Sequence, residues 1–335
     1  MLYELLRPLL FRLEPEHAHA VTLRVLDTVH RSGVGVLAFH AVPAQPRRIM
    51  GLEFKNPLGL AAGLDKNGAH IDALAALGFG FIEVGTVTPR PQPGNPQPRL
   101  FRLEAARAIV NRMGFNNLGV EQLVRNVERA AYRGVLGINI GKNFDTPLER
   151  AADDYVYCLR RVFPVASYVA INISSPNTAQ LRDLQQASAL EALLKRLKEE
   201  QVSLESKHRR RVPLALKISP DLSAEDLAQL ADVVLRLEID AVIATNTTLA
   251  RDGVAGMLLE AGGLSGAPLL ARSTALLHDL VAALQGRIPV IAAGGVLSGA
   301  DARAKVAAGA ALVQIYTGLI FRGPALIEEI VRALE

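Results

Sequence analysis

Short, almost wholly apolar runs recur along the chain at residues 58–61, 81–84, 135–140, 168–173, 214–218, 241–245, 290–293 and 311–315. Continuous apolarity without alternation marks strands buried on both faces, as in a parallel sheet. Each run but the last opens into a polar loop and then a helical pattern. Residues 223–237 illustrate it, with Ser223 as N-cap and Glu225 and Asp226 in the first turn. Eight such units predict an α/β fold of the (β/α)8 TIM-barrel type rather than an open sheet. Residues 47–54 predict a hairpin closing the barrel bottom. The Pro- and Asn-rich excursion 89–117 is too long for a plain connection and is expected to cover the mouth. Residues 195–211 read as a charged helix and connector with a solvated face.

Ahead of the barrel, residues 1–13 are leucine-rich but interrupted by Glu4, Arg7 and Pro8. The stretch is shorter than the roughly 20 apolar residues a bilayer span requires, and it lacks the small-residue cleavage site of a secretory signal. A second helix is predicted from Pro15 to Arg31, with Ala18, Val21, Val25 and Val29 on one face, ended by Gly33 and Gly35. Two readings stand open for this pair of helices: packing on the main domain, or lying in a lipid interface. The expected division is residues 1–41 as a helical segment and 42–335 as the barrel.

Composition narrows the picture. At 335 residues, half of them hydrophobic, the chain suits one elaborated barrel. Cys158 is the sole cysteine, so no intrachain disulfide framework exists and a reducing cytosol is expected, with Cys158 a buried structural thiol. A net charge of +4, spread without aromatic interleaving, argues against a nucleic-acid partner. Anionic ligands and an anionic membrane surface both remain compatible with it.

In a barrel of this kind the strand ends are the site candidates. Here they carry amides, hydroxyls, glycines and two lysines, with no metal-ligating cluster, nucleophile elbow or Walker loop. Only Asp65 and Glu83 are acids close to these ends, which leaves paired-carboxylate glycosidase chemistry unsupported. Gly294-Gly295 and Tyr316-Thr317-Gly318 follow the last two strands, the usual phosphate position of such barrels, and Gly262-Gly263-Leu264-Ser265-Gly266 reads as a third flexible donor loop. Lys217 ends an apolar strand and needs a partner if buried. The run 170–178 ends in Ser174-Ser175-Pro176-Asn177-Thr178, either an ordinary turn or a loop holding a hydroxyl at the mouth.

These residues resemble the dihydroorotate dehydrogenases of the membrane-associated, quinone-reducing class. The resemblance runs the whole length and rests on six motifs, Asn56 to Gly68, Glu83 to Pro89, Asn111 to Asn117, Ile138 to Asn143, Asn172 to Thr178 and Gly263 to Gly266. It implies an FMN-containing barrel that oxidises dihydroorotate to orotate in pyrimidine synthesis and passes electrons to a quinone. By the same resemblance, Ala62, Gly63, Lys66, Thr86, Asn139, Asn172, Lys217, Thr245, Gly266, Gly295, Tyr316 and Thr317 contact FMN. Lys66, Asn111, Arg112, Met113, Gly114, Phe115, Asn116, Asn172, Asn177, Asn246 and Thr247 form the orotate site. A planar, anionic, imide-bearing substrate suits amides that donate and accept and a lysine for the carboxylate.

Ser175 is implied as the general base for the C5 proton. Serine is a poor base at neutral pH, so Thr178 with a bound water is expected to relay. His19 and Arg102 are the expected quinone contacts, beside an apolar slot lined by Leu2, Leu5, Leu6, Leu9, Leu10, Val21 and Val25. The implied setting is a monomer, peripheral at the cytoplasmic face of the cell membrane. Ala179-Gln180 and Phe144 depart from the Pro-Gly and Lys common in the family, which bears on lid mobility. A soluble dihydroorotate or dihydropyrimidine dehydrogenase with another acceptor, and a non-catalytic phosphate-binding barrel that docks to membranes, are the alternatives.

Overall fold

A computed structural model describes residues 2–33, 42–178, 180–257 and 260–335. Two helices, α1 (Leu2–Arg12) and α2 (Pro15–Arg31), precede an antiparallel hairpin of β1 (Arg47–Ile49) and β2 (Leu52–Phe54). Eight parallel strands then close into a barrel in chain order. They are β3 (Leu58–Leu60), β4 (Phe81–Val87), β7 (Val135–Ile140), β8 (Tyr168–Asn172), β9 (Leu214–Ile218), β10 (Ala241–Ala244), β12 (Val290–Ala293) and β13 (Leu312–Ile315). The predicted barrel and all eight strand positions hold. Strand β4 runs three residues past its expected end, which puts Thr86 inside the strand.

The barrel interior is filled by Phe54, Phe81, Tyr168, Ile243, Ile291 and Leu312, with the β1–β2 hairpin plugging the bottom through Ile49 and Leu52. Small residues make room for large ones. A Cβ on Gly59 would stand 2.3 Å from Phe81 Cζ, and one on Gly137 would stand 2.2 Å from Tyr168 Cζ. Outside, helices cover the strands. The predicted helix at residues 223–237 is observed at Ala224–Arg236, and the Ser223 hydroxyl accepts from Asp226 N as expected of an N-cap. Cys158 is fully buried among this layer, and burial pushes its thiol well up, so it is a structural thiol.

The mouth excursion folds as β5 (Leu100–Leu103) and β6 (Ala108–Asn111), and a third strand, β11 (Gly263–Gly266), pairs with β6. This corrects the reading of residues 262–266 as a flexible donor loop. Their backbone groups are committed to a ladder with residues about 150 positions away, a pairing that no local pattern encodes.

The N-terminal helices dock on the barrel. Tyr3 Oη donates to Ile320 O at 2.5 Å, Arg7 donates to Phe321 O at 2.7 Å, and the Phe11 and Phe321 rings meet edge-on at 5.4 Å. Leu23 joins the main core, and Glu16 accepts from the buried Arg99 at 2.6 Å. The expected α2 face is corrected: Ala18 and Leu23 are buried, whereas Val25 is 55% exposed. Leu5, Leu6 and Leu9 also point outward, so they form an outer apolar face rather than slot walls; the side chain of Leu2 and the expected boundary at Ala41 lie outside the described residues. Among the described residues, no helix is long and apolar enough to cross a membrane.

Candidate active site

At the C-terminal ends of the barrel strands lies a cavity enclosing about 1110 Å³ of empty space, its open mouth included. Its floor is polar and tightly organised. The Glu83 carboxylate, with 0% exposure, accepts from Asn139 Nδ2 at 2.9 Å, Tyr168 Oη at 2.8 Å and Gln314 Nε2 at 2.7 Å. Lys217 Nζ stands 3.8 Å from the same carboxylate, so the partner that this lysine needed is an acid of the chain itself. A buried ion pair is tolerable only when hydrogen bonds satisfy the remaining valences, and the three neutral donors do this.

Above the floor the amides interlock. Thr86 Oγ1 donates to Asn139 Oδ1 at 2.5 Å, Asn172 Nδ2 donates to Thr86 Oγ1 at 2.9 Å, and Asn246 Nδ2 donates to Ser174 Oγ at 3.1 Å. Asn177 Nδ2 reaches Asn111 Oδ1 at 3.1 Å, which joins the loop after β8 to the end of β6. Each amide is thereby fixed in orientation before any ligand arrives. Ser175 is buried on this wall and its Oγ accepts from Asn177 N at 3.2 Å, as expected of a hydroxyl turned back by a Ser-Pro-Asn loop. Thr178 Oγ1 is buried without a partner among the described residues, which is costly unless something fills the role. Lys66 Nζ donates to Gly63 O at 2.8 Å, and burial pulls its pKa down to about 8 despite the nearby Glu16 carboxylate.

The wall brings together most of the residues singled out in the sequence: Ala62, Gly63, Lys66, Thr86, Asn111, Met113, Gly114, Phe115, Asn172, Ser175, Asn177, Lys217, Thr245, Asn246, Thr247, Gly266, Gly295, Tyr316 and Thr317. The other candidates lie off it, the expected relay residue Thr178 among them. Asn139 sits behind Thr86 and Asn172 and orients them. Arg112 turns away to Glu260 and lies 5.0 Å over the Phe101 ring. Asn116 is off the wall, with a buried Oδ1 that has no partner among the described residues. Arg102 donates to the carbonyls of Leu10, Phe11 and Leu13 and lies 4.6 Å over the Phe11 ring, so it closes the C-terminal end of α1. His19, on α2, is half-buried. Burial, with Lys66 and His70 nearby, pushes its pKa down to about 4, so it is neutral.

Sequence reasoning missed Gln314 and the apolar sector of Leu100, Ile109 and Leu297. Gln314 had a signal, being the one polar residue within an apolar strand. The apolar sector had none, because its members meet only through the mouth sheet and the docked α1, where Phe11 and Phe321 back Ile109 and Leu297.

Residues 46–335 match the family model of dihydroorotate dehydrogenase. The chain belongs to the dihydroorotate dehydrogenase family. Curated proteins named dihydroorotate dehydrogenase (quinone) from Paraburkholderia xenovorans and Burkholderia pseudomallei are 60% and 61% identical to it, over 99% of this chain and 98% of theirs. It is accordingly an enzyme of the quinone form of the family. Among solved structures, dihydroorotate dehydrogenase from Eimeria tenella in complex with ferulenol superposes with a TM-score of 0.87 at 38% identity, over 96% of this chain and 90% of that one. The ligand-free form of the same protein superposes at 0.86. The eight-stranded barrel and both N-terminal helices therefore sit within a known dihydroorotate dehydrogenase architecture.

Proposed function

We propose that this chain oxidises dihydroorotate to orotate in pyrimidine synthesis, holds FMN as resident cofactor, and returns the electrons to a membrane quinone. It works as a monomer at the cytoplasmic face of the cell membrane, with residues 1–41 as the segment that meets lipid and quinone. The observation that carries this reading is the convergence of Ser175, Lys66 and the four amides Asn111, Asn172, Asn177 and Asn246 on one cavity.

The residues present fit a flavin phosphate. Gly266, Gly295 and Thr317 leave one end of the cavity free of bulk for that group, and the Gln314 Oε1 on the wall, a buried acceptor without a partner among the described residues, can accept from an N–H of the flavin ring. Ala62, Gly63, Lys66, Thr86, Asn172, Lys217, Thr245, Gly266, Gly295, Tyr316 and Thr317 would hold FMN directly, with Asn139 acting from behind. Bound FMN supplies the acceptor for the hydride that leaves C6 of the substrate.

The chain does the rest. The locked amides read the pyrimidine edge, Lys66 takes the carboxylate, and the backbone from Arg112 to Asn116 completes the orotate site. Ser175 Oγ takes the C5 proton as its own hydroxyl proton moves to the Thr178 hydroxyl, which releases one to a water and so to solvent, and serine never holds the charge. The apolar sector of Leu100, Ile109 and Leu297 gives a lipid-soluble quinone a dry approach beside α1, with His19 and Arg102 flanking it.

Anaerobic mixing tests this reading. Dihydroorotate should bleach the flavin absorption of the purified protein, and a soluble quinone should restore it. A protein that carries no flavin, or whose flavin is not bleached, refutes the proposal.

A further inference from the structure

Lys305 lies on the helix Gly299–Ala307 and has 0% exposure, yet it pairs with no carboxylate among the described residues. Its Nζ donates to Ser273 Oγ at 2.6 Å, and Ser273 Oγ in turn contacts Gly294 O at 3.0 Å and Leu270 O at 3.2 Å. Both glycines of the Gly294-Gly295 loop have positive φ, and the loop lies so close to the helix Leu269–Ala283 that a Cβ on Gly295 would stand 2.3 Å from Leu270 Cα. The lysine is therefore wired to the back of the glycine loop whose front lines the cavity.

A buried ammonium without a counter-ion is costly, and an apolar side chain of similar length would serve packing better. Among the described residues the two cations on the cavity wall already have roles, Lys66 toward the substrate carboxylate and Lys217 toward Glu83. Groups on the surrounding elements are also committed elsewhere. Asp301, on the same helix, accepts from Leu297 N; Glu329 accepts from Gly299 N and Arg322; Glu328 pairs with Arg332; Arg272 pairs with Asp252; and His278 and Asp279 meet at the surface. Arg303 is exposed.

We propose that Lys305 is a positioning residue of the cofactor's phosphate subsite: acting through Ser273 and the Gly294-Gly295 loop, its ammonium balances the phosphate and gives FMN its advantage over a phosphate-free flavin. This rests on the FMN reading above. The charge balance gives it a pH signature. Burial pushes Lys305 down to about 7, with Asp301 opposing, and a bound phosphate favours the protonated form. FMN binding then takes up a proton above that pH, so affinity for FMN falls as pH rises past it, while affinity for riboflavin does not.

The experiment measures flavin release on dilution of the holoenzyme, and displacement of FMN by riboflavin, at pH values on both sides of Lys305's value. In the wild-type protein the preference for FMN should decline as pH rises through that value. In Lys305→Met the preference should be at least about tenfold smaller, the effect of one pKa unit of charge interaction, and should follow only the phosphate's own titration. Ser273→Ala, which cuts the relay but keeps the lysine, should also reduce the preference. Equal preference and the same pH profile in wild type and Lys305→Met overturn the proposal. If that variant does not fold, the wild-type profile decides: a preference that stays flat well above Lys305's value overturns it as well. A wild-type protein that retains no FMN overturns the cofactor reading instead, before any variant is compared.

Discussion

At the residue scale the site separates a group that moves a proton from groups that hold charge. Ser175 contributes little to holding orotate, so Ser175→Ala should slow flavin reduction by roughly 10²- to 10⁴-fold, the usual contribution of a positioned general base, and leave orotate affinity nearly unchanged. Stopped-flow reduction beside equilibrium orotate titration checks both halves; a variant that reduces flavin at the normal rate moves the base elsewhere. Lys66 gives a pH prediction. Its pKa in the free protein is about 8, and a carboxylate ligand favours the charged lysine, so orotate affinity should be full below that pH and fall as pH rises above it. Lys66→Met should abolish this pH dependence and weaken orotate binding by about 1.5 to 3 kcal/mol, the scale of a charge-assisted hydrogen bond.

At the scale of elements, α2 is held to the mouth by one well-sheltered ion pair. Arg99 has a side chain 9% exposed and is fixed by Glu16 together with the carbonyls of Pro93 and Asn95. Removing the acid strands a guanidinium in a place with little water. Glu16→Ala should therefore cost about 1 to 3 kcal/mol, somewhat below the loss expected for a fully buried pair because Glu16 is itself partly exposed. The urea midpoint should fall without a change in slope; an unchanged midpoint would show that the two carbonyls suffice for Arg99.

For the whole molecule, the docked helices present Leu5, Leu6 and Leu9 of α1 to the outside, exposed by 75%, 44% and 60%, and Val25 of α2 is exposed as well. Such a face on a helix pair is suited to a lipid interface, while Tyr3, Arg7 and Phe11 on the inner side tie it to the barrel. Deleting the helices would also remove Leu23 from the main core, so loss of activity in a truncated chain would mix two causes. Leu5→Lys with Leu9→Lys separates them. Liposome flotation and turnover with a membrane quinone should drop sharply, and bleaching of the flavin by dihydroorotate should stay at the wild-type rate. If flotation persists in the double variant, the lipid contact lies on another surface.

The eight strands, their order around the barrel and the polar strand ends were legible in the chain, because each depends on a local signal: continuous apolarity for a doubly buried strand, then amides, hydroxyls and glycines where it ends. The same reading reached Ser175, Asn172, Asn177 and Asn246 for the site, since all follow directly from strands. Tertiary structure decided whatever depends on pairing across long separations. It made residues 263–266 a strand by offering them the edge of β6, and it gave Lys217 its partner by curling β4 and β9 around one interior. It also turned Arg102 onto the carbonyls of α1 and set Lys305 behind a glycine loop with no carboxylate paired to it among the described residues. Neither periodicity nor composition encodes such contacts, because the free energy of a buried charge or a sheet edge is fixed by what the rest of the fold brings against it.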